Sequence, residues 1–189
     1  MKVGLFFGSF NPVHIGHLAI ANYFVEFTEL DQIWFVISPQ NPFKKKASLL
    51  DEYARKELVE IGIKDDPRFK VSTIEFNLPQ PSYTIDTLTH LKEKYPHHDF
   101  SLIMGGDNLK SLHKWKNAEV ILNDYPIYVY QRPGTEITEI PKGNIHLTEA
   151  PHFDISATFI RNSIQQGKNI SFFLPHDVWE CIDKMNYYR

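Results

Sequence analysis

Cysteine is almost absent from this chain, which contains Cys181 alone among its 189 residues. A lone cysteine excludes an intramolecular disulfide and any metal site built from several thiolates. An excess of charge of one sign is also lacking, because 20 lysines and arginines nearly balance 23 aspartates and glutamates and leave a formal net charge of −3. This balance argues against a nucleic-acid-binding protein, so a polyanionic ligand would have to be held by local charges.

Long hydrophobic runs are lacking as well. The N-terminal apolar run, Val3 to Phe7, is shorter than the core of a signal peptide, and no other run approaches the length of a membrane-spanning helix. The composition, with 42% hydrophobic and 23% charged residues, is that of a globular protein able to bury a core. The sequence therefore predicts a cytoplasmic protein with no membrane partner, and assembly into a homo-oligomer stays open.

Apolar runs of strand length alternate with segments of helical spacing along the whole chain. The runs predict strands over 2–7, 32–37, 69–74, 100–104, 126–130 and 144–147, and helices over 16–27, 49–63, 85–95, 118–122, 158–166 and 177–186. This alternation predicts an α/β fold, a Rossmann-like doubly wound parallel sheet. We expect one domain over 1–189, with a small C-terminal helical part at about 155–189. Because such sheets bind ligands beyond the carboxyl ends of their strands, the chemistry is expected in the loops there.

The loop between the first strand and the first helix reads Gly8-Ser-Phe-Asn-Pro-Val-His14-Ile-Gly16-His17. Gly8 permits a tight turn and the close approach of a ligand to backbone N–H groups, and the helix N-terminus that follows suits phosphate. His14 and His17 are three residues apart, so both can project from the first helical turn and donate hydrogen bonds to phosphate oxygens. The pair could also be half of a zinc site, but a third ligand in a recognised pattern is missing.

A second polar segment, Ile155-Ser-Ala-Thr-Phe-Ile-Arg161, opens a predicted helix near the C-terminus. Ser156 suits the N-cap position, and Thr158 and Arg161 share one helical face. Hydroxyls, helix N-terminal amides and a guanidinium together can clamp a polyphosphate, although the same residues would also suit a capped surface helix.

The two segments together resemble the signatures of the nucleotidyltransferase superfamily that carries a His-x-Gly-His motif. Four further motifs resemble those of the nicotinate mononucleotide adenylyltransferases within this superfamily. Two of them are Gly105-Gly-Asp107 after the fourth strand and Trp115, which follows Asp107 at Asp-x(7)-Trp spacing. The other two are Ser82-Tyr83-Thr84, followed by Thr87-Leu88, and Arg132-Pro133 after the fifth strand. Two positions depart from the family pattern. Phe43 precedes Lys44 where the family often has histidine, which leaves the role of that histidine open, and Ala157 replaces a hydroxyl residue.

The resemblance implies transfer of the adenylyl group of ATP to nicotinate mononucleotide, which gives deamido-NAD and pyrophosphate in NAD biosynthesis. It implies His14, His17 and Arg161 as the catalytic residues. ATP would be bound by Gly8, Ser9, Phe10, His17, Gly105, Asp107, Ile155, Ser156, Thr158 and Arg161. Nicotinate mononucleotide would be bound by Ser9, Lys44, Thr84, Trp115 and Arg132. Mg²⁺ would be bound through the ATP phosphates and keep most of its waters, so no protein metal ligands are expected.

Several alternatives remain at this stage. Asp107 and Thr84 could each be an ordinary helix N-cap, and Trp115 could be a core residue. The acceptor could be nicotinamide mononucleotide or phosphopantetheine, as in other adenylyl or cytidylyl transferases, or the chain could be a non-catalytic nucleotide-binding module. The preference for nicotinate rests on resemblance to short bacterial chains.

Overall fold

The computed structural model describes residues 1–39, 49–131, 134, 137 and 139–189. The strands of this part are β1 (Lys2–Gly8), β2 (Gln32–Ile37), β3 (Phe69–Ser72), β4 (Asp99–Gly105), β5 (Ile127–Tyr130) and β6 (Ile145–Thr148). The α-helices are α1 (Ile15–Phe27), α2 (Glu52–Ile63), α3 (Thr84–Lys94), α4 (Gly106–Ser111), α5 (Ala118–Asp124), α6 (Ala157–Gln165) and α7 (His176–Lys184). Short 3₁₀ helices lie at Ile74–Asn77, Leu112–Lys114 and Ser171–Phe173.

The strands form one parallel sheet in the order β3-β2-β1-β4-β5-β6. The chain adds β2 and β3 on one side of β1 and then returns to add β4, β5 and β6 on the other side. The direction of winding therefore reverses between β1 and β4, which is the switch point where sheets of this type bind ligands. The prediction of a Rossmann-like doubly wound parallel sheet is confirmed.

The central strands are apolar on both faces because helices cover both faces of the sheet. In β1, Val3 and Leu5 lie in one core cluster and Phe6 lies in the other. In β2, Trp34 belongs to the first of these clusters and Phe35 to the second, as the two-residue period of a strand requires. Full burial of one such Leu or Phe side chain contributes about 1.5–3 kcal/mol, so these strands hold the sheet in place.

The C-terminal helices complete one of the two cores. Ile160 of α6 and Val178 and Ile182 of α7 are buried in the cluster that also contains Phe24 and Phe35. The C-terminal helical part therefore packs against the α1 face of the sheet. None of the helices in the described ranges is long and apolar enough to cross a bilayer. The single domain and the cytoplasmic location stay predictions.

Three elements differ from the sequence-based expectation. The strand predicted over 69–74 is wrong at its end, because pairing of β3 with β2 stops at Ser72 and a 3₁₀ helix follows. The helix predicted from residue 49 begins at Glu52, since the Asp51 side chain caps it by accepting from the N–H groups of Tyr53 and Ala54. Helix α4, which directly follows β4, was not predicted.

Candidate active site

The first loop leaves the carboxyl end of β1 next to the switch point. Phe10 has a left-handed backbone (φ 44°), and its ring is 2% exposed and packs edge-on against Phe6 and Phe35. A Cβ at Gly8 would lie 2.9 Å from the Phe10 ring, so glycine is required for this packing. The Phe10 side chain thus belongs to the core, and its predicted part in ATP binding would fall to its backbone. Ser9 is half-buried in the same loop.

His14 and His17 lie together at the start of α1. His14 is the N-cap residue, and the His17 Nδ1 accepts a hydrogen bond from the His14 backbone N–H at 3.3 Å. The two imidazole rings stack with their centroids 3.7 Å apart. A His17 ring that accepts at Nδ1 carries a proton on Nε2, and Nε2 is then the atom with which it would donate to a phosphate oxygen. A Cβ at Gly16 would lie 3.1 Å from His14 Nδ1, so the glycine leaves room for the His14 ring.

Asn11 joins the first loop to three distant parts of the chain. Its backbone carbonyl accepts a hydrogen bond from Arg161 Nη1 at 2.8 Å. Its side-chain Oδ1 accepts from the Leu50 N–H at 3.1 Å and from the Tyr188 hydroxyl at 2.9 Å. Burial raises the pKa of Tyr188, which keeps this hydroxyl protonated as a donor. The two predicted signature segments therefore meet directly, although 150 residues separate Asn11 from Arg161.

Helix α6 presents the polar residues that the sequence singles out. Ser156 is its N-cap, with the side-chain Oγ accepting from the Phe159 N–H at 3.1 Å. Arg161 Nη2 donates to the Thr158 hydroxyl at 3.3 Å, which confirms that these two residues share a helical face. Ser156 and Thr158 are exposed and Ile155 and Arg161 are half-buried, so hydroxyl and guanidinium donors surround the helix N-terminus. This combination suits a phosphate chain.

The Gly105-Gly106-Asp107 segment follows β4 on the other side of the switch point. Gly105 is the N-cap of α4, and Asp107 lies exposed in the first helical turn. The alternative in which Asp107 is an ordinary helix N-cap is therefore wrong. A carboxylate in this position is stabilised by the positive end of the helix dipole and can accept hydrogen bonds from a pair of ribose hydroxyls.

The predicted acceptor residues Thr84 and Trp115 lie on segments that contact one another. Tyr83 is the N-cap of α3, so Thr84 is the first helical residue and is not the cap. The Lys116 ammonium contacts both carboxylate oxygens of Asp86 at 2.9 Å and lies 5.0 Å from the centroid of the Tyr83 ring. Trp115 is half-buried at the edge of the core cluster. Lys44, Arg132 and the Phe43 position lie outside the described residues.

Arg55 is a buried polar residue beneath the site that the sequence analysis missed. It is 0% exposed and donates four hydrogen bonds to backbone carbonyls of the loops around the site. Glu75 was missed as well and is also buried, with a hydrogen bond from the Thr87 hydroxyl at 2.8 Å. Charged residues normally face solvent, and neither the helical spacing around Arg55 nor the short 3₁₀ helix of Glu75 marks either residue as buried, so hydropathy patterning alone could not single them out.

Comparisons with known proteins show which family the sequence matches. The sequence matches the family described as cytidylyltransferase-like over residues 5–163. A probable nicotinate-nucleotide adenylyltransferase of Flavobacterium johnsoniae is 57% identical over 194 residues, which cover 100% of both chains. A protein of the same name from Bacteroides fragilis is 48% identical over 183 residues, which cover 96% of this chain and 90% of that relative.

The fold also has relatives among solved structures. The nicotinic acid mononucleotide adenylyltransferase of Plasmodium falciparum, complexed with NaAD, superposes with a TM-score of 0.82 at 19% identity. The match covers 99% of this chain and 97% of that chain. At this identity the likeness is one of fold, and it extends over nearly the whole chain, including the C-terminal helices.

Proposed function

This chain belongs to the cytidylyltransferase-like family, and from that membership we propose that it is a nicotinate-nucleotide adenylyltransferase of NAD biosynthesis. It transfers the adenylyl group of ATP to nicotinate mononucleotide, which yields deamido-NAD and pyrophosphate. The observation that carries this proposal is the 57% identity, over the full length of both chains, to a probable enzyme of that name. The contact of Arg161 with Asn11 supports it, because it brings the two phosphate-binding signatures together.

The reaction needs no covalent enzyme intermediate. An oxygen of the mononucleotide 5′-phosphate attacks the α-phosphorus of ATP, and the bond from that phosphorus to the bridging oxygen of pyrophosphate breaks. The second pKa of a phosphate monoester is about 6, so the attacking group is largely dianionic near neutral pH and requires no general base. Catalysis then consists of positioning the two substrates and stabilising the charge that develops on the phosphate oxygens.

We assign the ATP side of this reaction to the first loop, α4 and α6. His17 donates from Nε2 to the α-phosphate, and His14 supports the neighbouring phosphates and the orientation of the His17 ring. Ser156, Thr158 and Arg161 stabilise the leaving pyrophosphate. The rest of ATP is bound by the backbone of residues 8–10 and by Gly105, Asp107 and Ile155. The Asp107 carboxylate accepts hydrogen bonds from the ribose hydroxyls.

We assign the mononucleotide side to Ser9, Thr84, Trp115, Lys44 and Arg132. Thr84 meets the nicotinate carboxylate through its N–H and hydroxyl, because it lies at the N-terminus of α3, where backbone N–H groups attract an anion. The Trp115 ring stacks on the pyridine ring. Lys44 and Arg132 supply positive charge to the mononucleotide.

A nucleotidyltransferase that uses ATP works with a divalent metal ion in general, and we propose Mg²⁺. The side chains gathered at the first loop and α6 are imidazole, hydroxyl and guanidinium groups, which bind phosphate oxygens rather than a hard cation. These donors fit a metal ion that would enter with ATP, bound to its phosphate oxygens and to water. None of the assigned residues would then be a metal ligand. When bound, the ion neutralises phosphate charge.

The test is a side-by-side measurement of kcat/KM with Mg²⁺-ATP and each of nicotinate mononucleotide, nicotinamide mononucleotide and phosphopantetheine. Pyrophosphate release reports turnover, and chromatography identifies the dinucleotide product. We expect the highest kcat/KM with nicotinate mononucleotide. A preference for another acceptor would reassign the substrate, and the absence of pyrophosphate release with all three would leave a nucleotide-binding module without turnover.

A further inference from the structure

Glu75 is a buried carboxylate between β3 and α3, with 3% of its surface exposed. Its Oε1 accepts a hydrogen bond from the Thr87 hydroxyl at 2.8 Å, and the hydroxyls of Ser38 and Ser82 lie close enough to the carboxylate to lower its pKa. Three hydroxyls from three separate segments therefore converge on one side chain. Burial raises the pKa of Glu75, and the three hydroxyls act in the opposite direction by stabilising the ionised form.

The three segments that meet at Glu75 belong to different parts of the site. Ser38 directly follows β2, and its N–H donates to the Gly8 carbonyl at 3.0 Å, which ties it to the first loop. Ser82 begins residues 82–84, which we call the acceptor segment because it contains Thr84. Thr87 lies one turn further along α3. Glu75 thus links the phosphate-binding loop on one side to the acceptor segment on the other.

The backbone of Glu75 takes part in the same link. The Gln80 side-chain amide donates to the carbonyls of Glu75 at 3.0 Å and Leu78 at 3.2 Å. The loop that leads into the acceptor segment is therefore folded back onto the 3₁₀ helix that carries Glu75. The main-chain carbonyl of Glu75 thus holds Gln80, which precedes Thr84, and its carboxylate interacts with Ser82 before Thr84 and with Thr87 after it.

A carboxylate is well suited to this task because its two oxygens can accept about four hydrogen bonds in fixed directions. Burying it costs stability, and an apolar residue of similar size would pack without that cost. The benefit of the buried carboxylate is therefore that it fixes the orientation of the three segments relative to one another. We propose that Glu75 is a positioning residue for the acceptor, which sets the place of the acceptor segment relative to the first loop. This inference rests on the proposed function, in which Thr84 contacts the mononucleotide.

Glu75→Gln is the sharpest perturbation because it keeps the size of the side chain and replaces one acceptor oxygen with a donor. One hydroxyl contact should be lost, and the acceptor segment should shift. Loss of one hydrogen bond of this kind corresponds to about a tenfold rise in KM for the mononucleotide. The KM for ATP should stay within about twofold of the wild-type value, since the hydroxyls that act on the Glu75 carboxylate belong to Thr87, Ser38 and Ser82, none of which is assigned to ATP.

The experiment compares Glu75→Gln, Ser82→Ala and the double variant by steady-state kinetics with both substrates varied. Ser82→Ala removes one partner of the carboxylate, so it should raise KM for the mononucleotide in the same way. The rise in KM for the double variant should be smaller than the two single effects combined, because both substitutions act on the same cluster of contacts around Glu75. Glu93→Gln, an exposed position on α3, is the matched control and should leave all constants unchanged.

The outcomes separate the inference from the proposed function. If the wild-type protein prefers a different mononucleotide, the proposed acceptor is wrong, and the same KM comparison is made with the acceptor that it uses. If the wild-type protein turns over and Glu75→Gln changes only the melting temperature, or raises both KM values equally, the positioning role is wrong. Fully additive effects of Glu75→Gln and Ser82→Ala on KM would also contradict it.

Discussion

Replacement of Arg55 by methionine tests whether buried hydrogen bonds hold the loops around the site. The guanidinium Nε donates to the Leu50 carbonyl at 2.8 Å, and Nη2 donates to the Pro39 carbonyl at 3.0 Å. Nη1 donates to the Ser9 carbonyl at 2.6 Å and to the Ser38 carbonyl at 2.9 Å. Methionine fills much of the same space without any of these donors. We therefore expect a large loss of stability from a side chain that has no contact with the solvent.

The size of this loss follows from the environment of the four carbonyls. A buried acceptor left without a donor costs about 1–3 kcal/mol. The residues that carry these carbonyls are partly exposed, so water can replace some of the lost donors. The substitution also removes a buried charge, whose burial is unfavourable and lowers the pKa of Arg55. This gain offsets a further part of the loss in stability. We expect a net loss of about 2–4 kcal/mol in the free energy of unfolding, which for a chain of this length lowers Tm by about 4–16 °C.

Thermal melting followed by circular dichroism, together with urea unfolding, measures this loss. Lys56→Met is the matched control at the next position, because Lys56 makes a partly exposed ion pair with Glu60 at 2.7 Å that contributes less than about 1 kcal/mol. Arg55→Lys keeps the charge but not the planar arrangement of donors, so it should fall between wild type and Arg55→Met. A Tm of Arg55→Met within about 3 °C of the wild-type value would refute the reasoning.

Three further predictions concern the site itself. His17→Ala should lower kcat by about 10²–10³ with a smaller change in the KM for ATP, measured by pyrophosphate release against the exposed His113→Ala control; near-normal turnover would remove His17 from catalysis. Trp115→Ala should raise the KM for the mononucleotide roughly threefold to tenfold through lost stacking, and an unchanged KM would make Trp115 a packing residue. Burial raises the pKa of Glu75 in the folded protein above its usual 4.5. As the pH rises from 4.5 through the folded-state pKa, the free energy of unfolding of the wild-type protein should therefore fall relative to that of Glu75→Gln. Parallel curves of urea midpoint against pH would contradict this.

Much of the fold was predictable because its central strands are buried on both faces. Continuous apolar runs such as Val3 to Phe7 have strand length, and they alternate with helical segments, which restricts the fold to a parallel sheet covered by helices. The edge of the sheet was harder to predict. The apolar pattern continues past Ser72 to Ile74, yet β3 is an edge strand of the sheet formed by the described residues, and Glu75 turns inward to the three hydroxyls.

Within the candidate site, spacing along one helix was enough to predict which side chains lie together. His14 and His17 share one helical turn, and Thr158 and Arg161 share another, so their spacing alone indicated that each pair lies together. Arg55 could not be predicted in this way, because its partner Ser9 is 46 residues away and nothing near Arg55 in the sequence marks a carbonyl-lined cavity. Contacts of this kind depend on how loops from different strands approach one another.

The arrangement of these contacts separates two kinds of residue in the site. His17 and Asp107 project from helices whose positions the apolar cores determine, so their removal should affect turnover far more than folding. Asn11 is different, because its two oxygens connect the first loop to Arg161, Leu50 and Tyr188. A substitution there disturbs the loop, α6 and the C-terminal residues together, so loss of activity and loss of stability should accompany each other. In the proposed function, the switch point of the sheet would be the location of the triphosphate, and buried polar contacts between loops would determine the shape of that site.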